Sequence, residues 1–396
     1  MLTLSRLLWA ATSAALFVAL PACVAPGADS GPPPQAIARE GAASGAGLAP
    51  ETPIRMVTLV DDLDKPWGMD FLPDGSLLVT EKSGVLKRID LESYAVTAIG
   101  GLPASADVGQ GGLMDVLVHP DFASNGWVYL SYSVAEGGAF STRVSRGRLA
   151  DGALVDVEEL FTAQPFFRER RHFGSRLLLD GGYLYVTVGD RGNRDLAQSL
   201  ETHNGKVLRL TEDGALPPDN PFVGVPGARP EIWTYGHRNP QGMARHPVTG
   251  AIWVAEHGPQ GGDELNVLRR GANYGWPLVT YGEEYGGGRI GEGTHRAGTE
   301  QPLVYWVPSI GTGNIAFYDG DLYPGWRPSV LVSGLKLTRI SRLELDGDGV
   351  GAETRLLANL KMRIRDVRTG PDGRVYALAA GSRLIRLEVA EPAPTQ

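Results

Sequence analysis

Two arginines, Arg363 and Arg365, stand two residues apart in the run MRIRDV. On an extended strand both side chains leave by the same face. Arg238 beside Asn239 in YGHRNPQG, and Lys336 in SGLKLTR, supply further positive charge. A planar guanidinium meets carboxylates bidentately, so such a set suits a ligand rich in carboxylates. Taken singly, each of these cations reads as solvated surface charge. Seven histidines offer imidazoles able to take a proton near neutral pH. His172, in RRHFGSRLLL, stands just before a predicted strand; an isolated histidine is otherwise more often structural, and His119, His203, His237, His246, His257 and His295 are read so. Two segments are rich in acids and glycine. AEHGPQGGDELNVLRRGANYGWP combines backbone turns with Asp263 and Glu264, and read alone is a glycine-rich hairpin with a solvated acid pair. Asp346-Gly347-Asp348-Gly349 looks like half of an EF-hand but lacks the downstream glutamate, and is read as a β-turn.

The elements that would hold these residues are short strands. With 53 glycines and 28 prolines, few windows sustain an amphipathic helix. A β unit recurs instead, with an apolar start, a turn containing Pro, Asp or Gly, and a β-rich strand. Its copies open at Met69, Asp115, Arg176, Met243, Ile315 and Asp366, roughly 45 to 70 residues apart. One such sheet cannot bury both faces alone, so about six must pack side by side in a ring. The expected fold is all-β, a six-bladed β-propeller of four-stranded blades, with an open β-sandwich as competitor. A strand near residues 55–60 is expected to pair with a terminal strand at 383–389 and close the ring.

Ahead of this body, residues 1–22 carry one basic residue, Arg6, an apolar run over 7–20 and Pro21-Ala22 before Cys23. That is the layout of a signal peptide, and the run is short for a membrane span of about 20 residues. Leu20-Pro21-Ala22-Cys23 also resembles a lipobox, so Cys23 is either a lipid anchor or incidental to an ordinary cleavage site. Cys23 is the one cysteine, which excludes an intrachain disulfide. Residues 23–52 are rich in Ala, Gly, Pro and Ser and read as a flexible tether. The expected product is exported, periplasmic, and either free or tethered to a membrane, with a functional domain over 53–396. A net charge of −8 argues against a nucleic-acid partner.

Several separated motifs, from Pro66-Trp67-Gly68 to Arg386, resemble in order those of the soluble quinoprotein glucose/sorbosone dehydrogenases, and within them the aldose sugar dehydrogenases. The resemblance implies pyrroloquinoline quinone (PQQ) and calcium on a six-bladed propeller, and oxidation of an aldose at C1 to the lactone by hydride transfer. It makes His172 the general base, Asp190 in VTVGDRGN its orienting acid, and Arg238 the cation that steadies charge on the quinone oxygen. Gln110 in DVGQGGLMD, Arg238, Asn239, Asp263, Lys336, Arg363 and Arg365 become cofactor-binding residues. The carbonyls of Gly258 and Pro259 hold the calcium that also contacts PQQ, with Asp263 supporting them from behind, while Glu264 and the Tyr274 carbonyl hold a second, structural calcium. His257 departs from the glucose dehydrogenases, which carry glutamine there. Trp306 reads either as a wall of the cofactor pocket or as core. The glycine-rich stretch 281–298 is expected to shape the substrate mouth. No CxxCH haem motif occurs, so the electron acceptor is external. A calcium-dependent lactonase would have no use for Lys336, Arg363 and Arg365, and a propeller that only binds partners would not require His172 or the arginine pair.

Overall fold

A computed structural model describes residues 35–38, 52–379 and 381–390. The leader, Cys23 and most of the expected tether lie outside the described residues. The chain forms six antiparallel sheets, each built mainly of four sequential strands. The first strand of each is the innermost. These are Pro66–Phe71, Leu113–Val118, Leu177–Asp180, Pro240–Arg245, Thr312–Tyr318 and Ile364–Thr369, and each contacts its two neighbours around a closed ring. The protein is a six-bladed β-propeller, as the recurring unit predicts; all six expected starts fall in these strands or immediately before one.

Blades stack on both sides, so their inner strands are apolar almost throughout rather than alternating. Leu77–Glu81, Ile252–Glu256 and Val375–Ala379 are buried at every position. The outermost strand of the second blade, Ala153–Thr162, is exposed along its centre. The core therefore lies in layers between adjacent blades, such as Leu78, Val116 and Leu130 between the first and second. Trp306 is fully buried in the layer between the fourth and fifth blades with Trp253 and Val332, which assigns it to the core and not to a pocket wall.

On the axis, one buried arginine ties all six blades. Arg176 donates to Asp115 (2.6 Å), to Asp366 (3.4 Å) and to the Gln241 carbonyl (2.9 Å). Asp366 in turn accepts from Asn314 Nδ2 (2.7 Å) and from the Met69 N–H (3.0 Å). Burial pushes the Asp115 carboxyl up to about 6 although Arg176 opposes the shift.

The ring closes as expected. Ile54–Val60 pairs antiparallel with Arg383–Val389 and becomes the outer strand of the sixth blade. One element was not expected. Gln35–Ala38, within the stretch read as tether, forms a strand parallel to Val304–Val307 and adds a fifth strand to the fourth blade. Asp346-Gly347-Asp348-Gly349 is the turn between Ile340–Asp346 and Gly349–Leu356, as expected.

Candidate active site

In an antiparallel blade the innermost strand begins at the same end at which the second strand finishes. The expected site residues occupy those two places. Gln110, His172, Arg238 with Asn239, and Arg363 precede innermost strands, and Arg365 sits at the start of one. Asp190, Gly258 with Pro259, and Lys336 follow second strands, and Asp263 and Glu264 open a third. Topology thus gathers them on one face of the ring. The long connection 268–303 of the fourth blade adds Tyr274 to them.

His172 is buried in a left-handed backbone conformation, φ 54°, a state uncommon outside glycine that needs support from its surroundings. Support comes from three sides. Gln110 Oε1 accepts from the His172 N–H (2.8 Å), Asn239 Oδ1 accepts from Gly174 N–H (3.1 Å), and the His172 carbonyl lies against Gly189. A Cβ on Gly189 would fall 2.2 Å from that oxygen, so any larger residue there must displace the His172 peptide. The next residue, Asp190, meets the imidazole, with His172 Nδ1 2.6 Å from Asp190 Oδ1. Asp190 Oδ1 also accepts from Gly192 N–H (2.7 Å), and its Oδ2 accepts from Trp276 Nε1 (2.8 Å). Burial alone would raise the Asp190 carboxyl, but the bond from His172, the nearby positive charge and the Gly192 amide hold it below its ordinary value. An ionised Asp190 only accepts, so Nδ1 carries the proton and Nε2 keeps its lone pair. Burial, joined by the charge of Arg238 against the pull of Asp190, lowers the His172 pKa and keeps that lone pair free at neutral pH.

Around this pair the cations lack acidic partners. Arg238 donates to the His257 carbonyl (3.1 Å) and reaches the Tyr285 hydroxyl at 3.5 Å. Its guanidinium lies 5.4 Å from the Trp276 ring. Arg365 donates to Gln241 Oε1 (2.8 Å), and burial, Arg363 and Arg176 lower its pKa to about 10. Lys336 and Arg363 are exposed and carry no ion pair among the described residues. The Lys336 backbone packs on Gly311, whose N–H donates to Asp263 Oδ2 (2.5 Å). Positive charges crowded without carboxylates are what an anionic ligand would relieve.

Asp263 Oδ1 also accepts from Gly258 N–H (2.9 Å), which fixes the turn 258–262. That turn folds back on itself. A Cβ on Gly258 would meet the Gly261 and Gly262 carbonyl oxygens at 2.3 and 2.2 Å, so the position must be glycine. Glu264 stands directly across the strand pair from Glu256. Like charges there are unfavourable, and burial first, then Glu256, push Glu264 up to about 8. Both carboxylates and Tyr274 line a cavity of about 10 Å³, the size of one water or ion. Such a place, where two carboxyl groups meet at an ion-sized space, fits a hard divalent cation, which would draw Glu264 into its ionised form.

The structure adds residues that the sequence did not single out. Glu256 accepts from the Arg238 N–H (2.7 Å) and binds His237 Nδ1 (2.9 Å). His257, read as structural, faces Arg365, Arg238 and His172; burial, then those charges, hold its pKa well below the ordinary value. Its Nε2 lies 3.2 Å from Gln241 Oε1. Trp276 was visible only as a letter within the calcium-like segment; spacing holds no signal that it meets Asp190.

A buried His–Asp pair with cations that carry no ion pair among the described residues, an oxygen-rich turn and two opposed carboxyl groups, on one end of a six-bladed propeller, defines a class of ligand-dependent acid–base site. A model of the Glucose / Sorbosone dehydrogenase family matches residues 63–386, and the chain belongs to that family. It is 44% identical over 337 residues to aldose sugar dehydrogenase YliI of Escherichia coli (strain K12), covering 83% of this chain and 91% of that protein. The crystal structure of the soluble aldose sugar dehydrogenase from Escherichia coli in the apo-form superposes with a TM-score of 0.83 at 41% identity, covering 85% of this chain and 100% of that one. The PQQ-bound form of aldose sugar dehydrogenase from Streptomyces coelicolor gives 0.71 at 29% identity, covering 86% of this chain and 100% of the other.

Proposed function

We propose that the protein is a PQQ-dependent aldose sugar dehydrogenase that oxidises the sugar C1 hydroxyl to the lactone. The observation that carries this reading is the His172–Asp190 pair, on the same face of the ring as four cations; among the described residues Nε2 meets no partner and these cations make no ion pair. His172 Nε2 would take the C1 hydroxyl proton, and Asp190 would hold the ring and stabilise the imidazolium. Arg238, Lys336, Arg363 and Arg365 would hold the PQQ carboxylates and reactive oxygen, with Gln110 and Asn239 fixing the floor of the site. Bound PQQ would supply the two-electron acceptor for the hydride leaving C1. Calcium fits the Gly258–Pro259 turn braced by Asp263, and a second ion fits between Glu264, Glu256 and the Tyr274 region, where it would offset two opposed carboxylates. The PQQ-bound relative supports the cofactor assignment, and the name of the Escherichia coli relative supports the substrate class. We also propose export by the leader 1–22, with 23–52 as tether and 53–396 as the functional domain, and electron delivery to an external acceptor. Among the described residues no helix is long and apolar enough to cross a membrane.

The test is reconstitution of the full chain with PQQ and calcium, following dye reduction with a panel of aldoses. Saturable turnover that depends on both additions, and that falls about 10²–10⁴-fold in His172→Ala, is the expected result. Folded protein that binds no PQQ at micromolar concentrations overturns the assignment.

A further inference from the structure

The connection 268–303 contains a strap, residues 281–288, that spans the site between its acid–base end and its turn 258–262. One end is fixed to that turn. Gln260 and Glu283 exchange backbone hydrogen bonds (3.1 Å each way), and Gly282 is pressed so closely on Pro259 and the Gly261 carbonyl that a Cβ would lie 2.7 and 2.4 Å from them. Tyr281 stacks on Tyr305 with ring centroids 3.7 Å apart. The far end meets the loop that carries Asp190. Glu284 grips Arg194 with both carboxylate oxygens (2.6 and 3.1 Å), a bidentate geometry that fixes orientation as well as distance. The next residue, Tyr285, sets its hydroxyl 3.5 Å from Arg238 Nη2. Arg194 and Arg238 both lie over the Trp276 ring, at 5.7 and 5.4 Å, and Trp276 donates to Asp190. Two consecutive strap residues therefore engage the two guanidiniums that share the Trp276 indole.

Tyr285 is 70% exposed, so its ring packs against little of the protein while its hydroxyl lies 3.5 Å from Arg238 Nη2. Gly286, Gly287 and Gly288 follow with no atoms near their missing side chains, which leaves the approach to that ring open. An exposed amphipathic aromatic whose hydroxyl lies near Arg238, the arginine whose charge acts on His172, suits a ligand with an apolar C–H face and a hydroxyl rim. A pyranose has both. We propose that Tyr285 is a specificity-determining wall of the sugar subsite, stacking on the ring of the aldose, and that the Glu284–Arg194 pair positions it. This rests on the aldose reading above.

The experiment compares Tyr285→Ala, Tyr285→Phe and Glu284→Gln in the reconstituted full chain. It measures kcat and KM on several aldoses, PQQ affinity by titration, and thermal melting. Tyr285→Ala is expected to raise KM about tenfold, the scale of a truncated aromatic contact, with kcat within about twofold and PQQ affinity unchanged. Tyr285→Phe, which keeps the ring, should restore most of KM, and Glu284→Gln should raise KM by a smaller factor. An unchanged KM in Tyr285→Ala overturns the inference and leaves the dehydrogenase reading standing. Lost PQQ affinity in that variant also overturns it, because the ring would then belong to the cofactor wall. Wild-type protein that binds PQQ but oxidises no aldose removes the reading itself, and the inference with it.

Discussion

Gly189 gives the sharpest test of how the base is positioned. An alanine Cβ there would lie 2.2 Å from the His172 carbonyl oxygen, 2.6 Å from its carbonyl carbon and 2.9 Å from Asn239 Oδ1. Ordinary contacts begin near 3.4 Å, so the His172 peptide must retreat by about 1 Å or Asn239 must give up Gly174. Neither group is the tip of a flexible chain, since His172 is pinned through its N–H by Gln110 and through its ring by Asp190. A displacement of about 1 Å at a reacting group typically lowers a rate by about 100-fold, whereas overpacking at a buried site costs about 1–3 kcal/mol of stability. Gly189→Ala should therefore fold, melt somewhat earlier and lose about two orders of magnitude in kcat/KM, with the loss mainly in kcat. Steady-state dye reduction alongside a thermal melt separates the two effects. A folded Gly189→Ala protein with wild-type kcat would refute the claim that backbone contact at this glycine sets the base.

Two further outcomes follow from the electrostatics. The His172 pKa is held below 6.5, so kcat/KM should stay level through neutral pH and fall only on the acid side of about 6.5 as the base protonates. Asp190→Asn removes the partner that raises that pKa, so the acid limb should move to still lower pH while the plateau drops; an unmoved limb would separate Asp190 from the titration. Glu264 has a folded pKa of about 8, above its ordinary 4.5, so its contribution to stability is complete at low pH and is lost as pH rises through about 8. Calcium-free protein should accordingly melt earlier at pH 9 than at pH 6, and either added calcium or Glu264→Gln should flatten that slope. Parallel slopes with and without calcium would exclude this pair as a cation site.

Much of the architecture is local, and that is why it is legible. Each blade begins with an apolar start and a tight turn, so Met69, Asp115, Arg176, Met243, Ile315 and Asp366 mark the innermost strands without knowledge of how blades pack. Arg363 and Arg365 stay close enough to repel, although Arg363 lies just before the strand and is exposed while Arg365 stands within it. Other features depend on contacts between distant segments. The bond from Trp276 to Asp190 joins residues 86 apart. The opposition of Glu256 and Glu264 depends on hairpin register, which one inserted residue would change. The strand Gln35–Ala38 pairs through its backbone beside Val304–Val307 and has no apolar alternation to announce it. His257 reads as structural in isolation because its role comes from Arg365, more than 100 residues away, and Arg238.

The closing pair of strands also orders events during synthesis. Five blades are made of continuous chain and can pair as they leave the ribosome, but the sixth joins Ile54–Val60 to Arg383–Val389, so its first-made strand waits as an open edge until nearly the whole chain exists. Arg363 and Arg365 belong to that last-made blade, and Arg365 reaches across to Gln241 of the fourth. Two of the pocket's four cations are therefore absent from any chain that stops before the last-made blade, while Arg238 and Lys336 are already made. If PQQ binds as proposed, a chain stalled before residue 363 should hold it weakly, so cofactor binding would report a finished sixth blade.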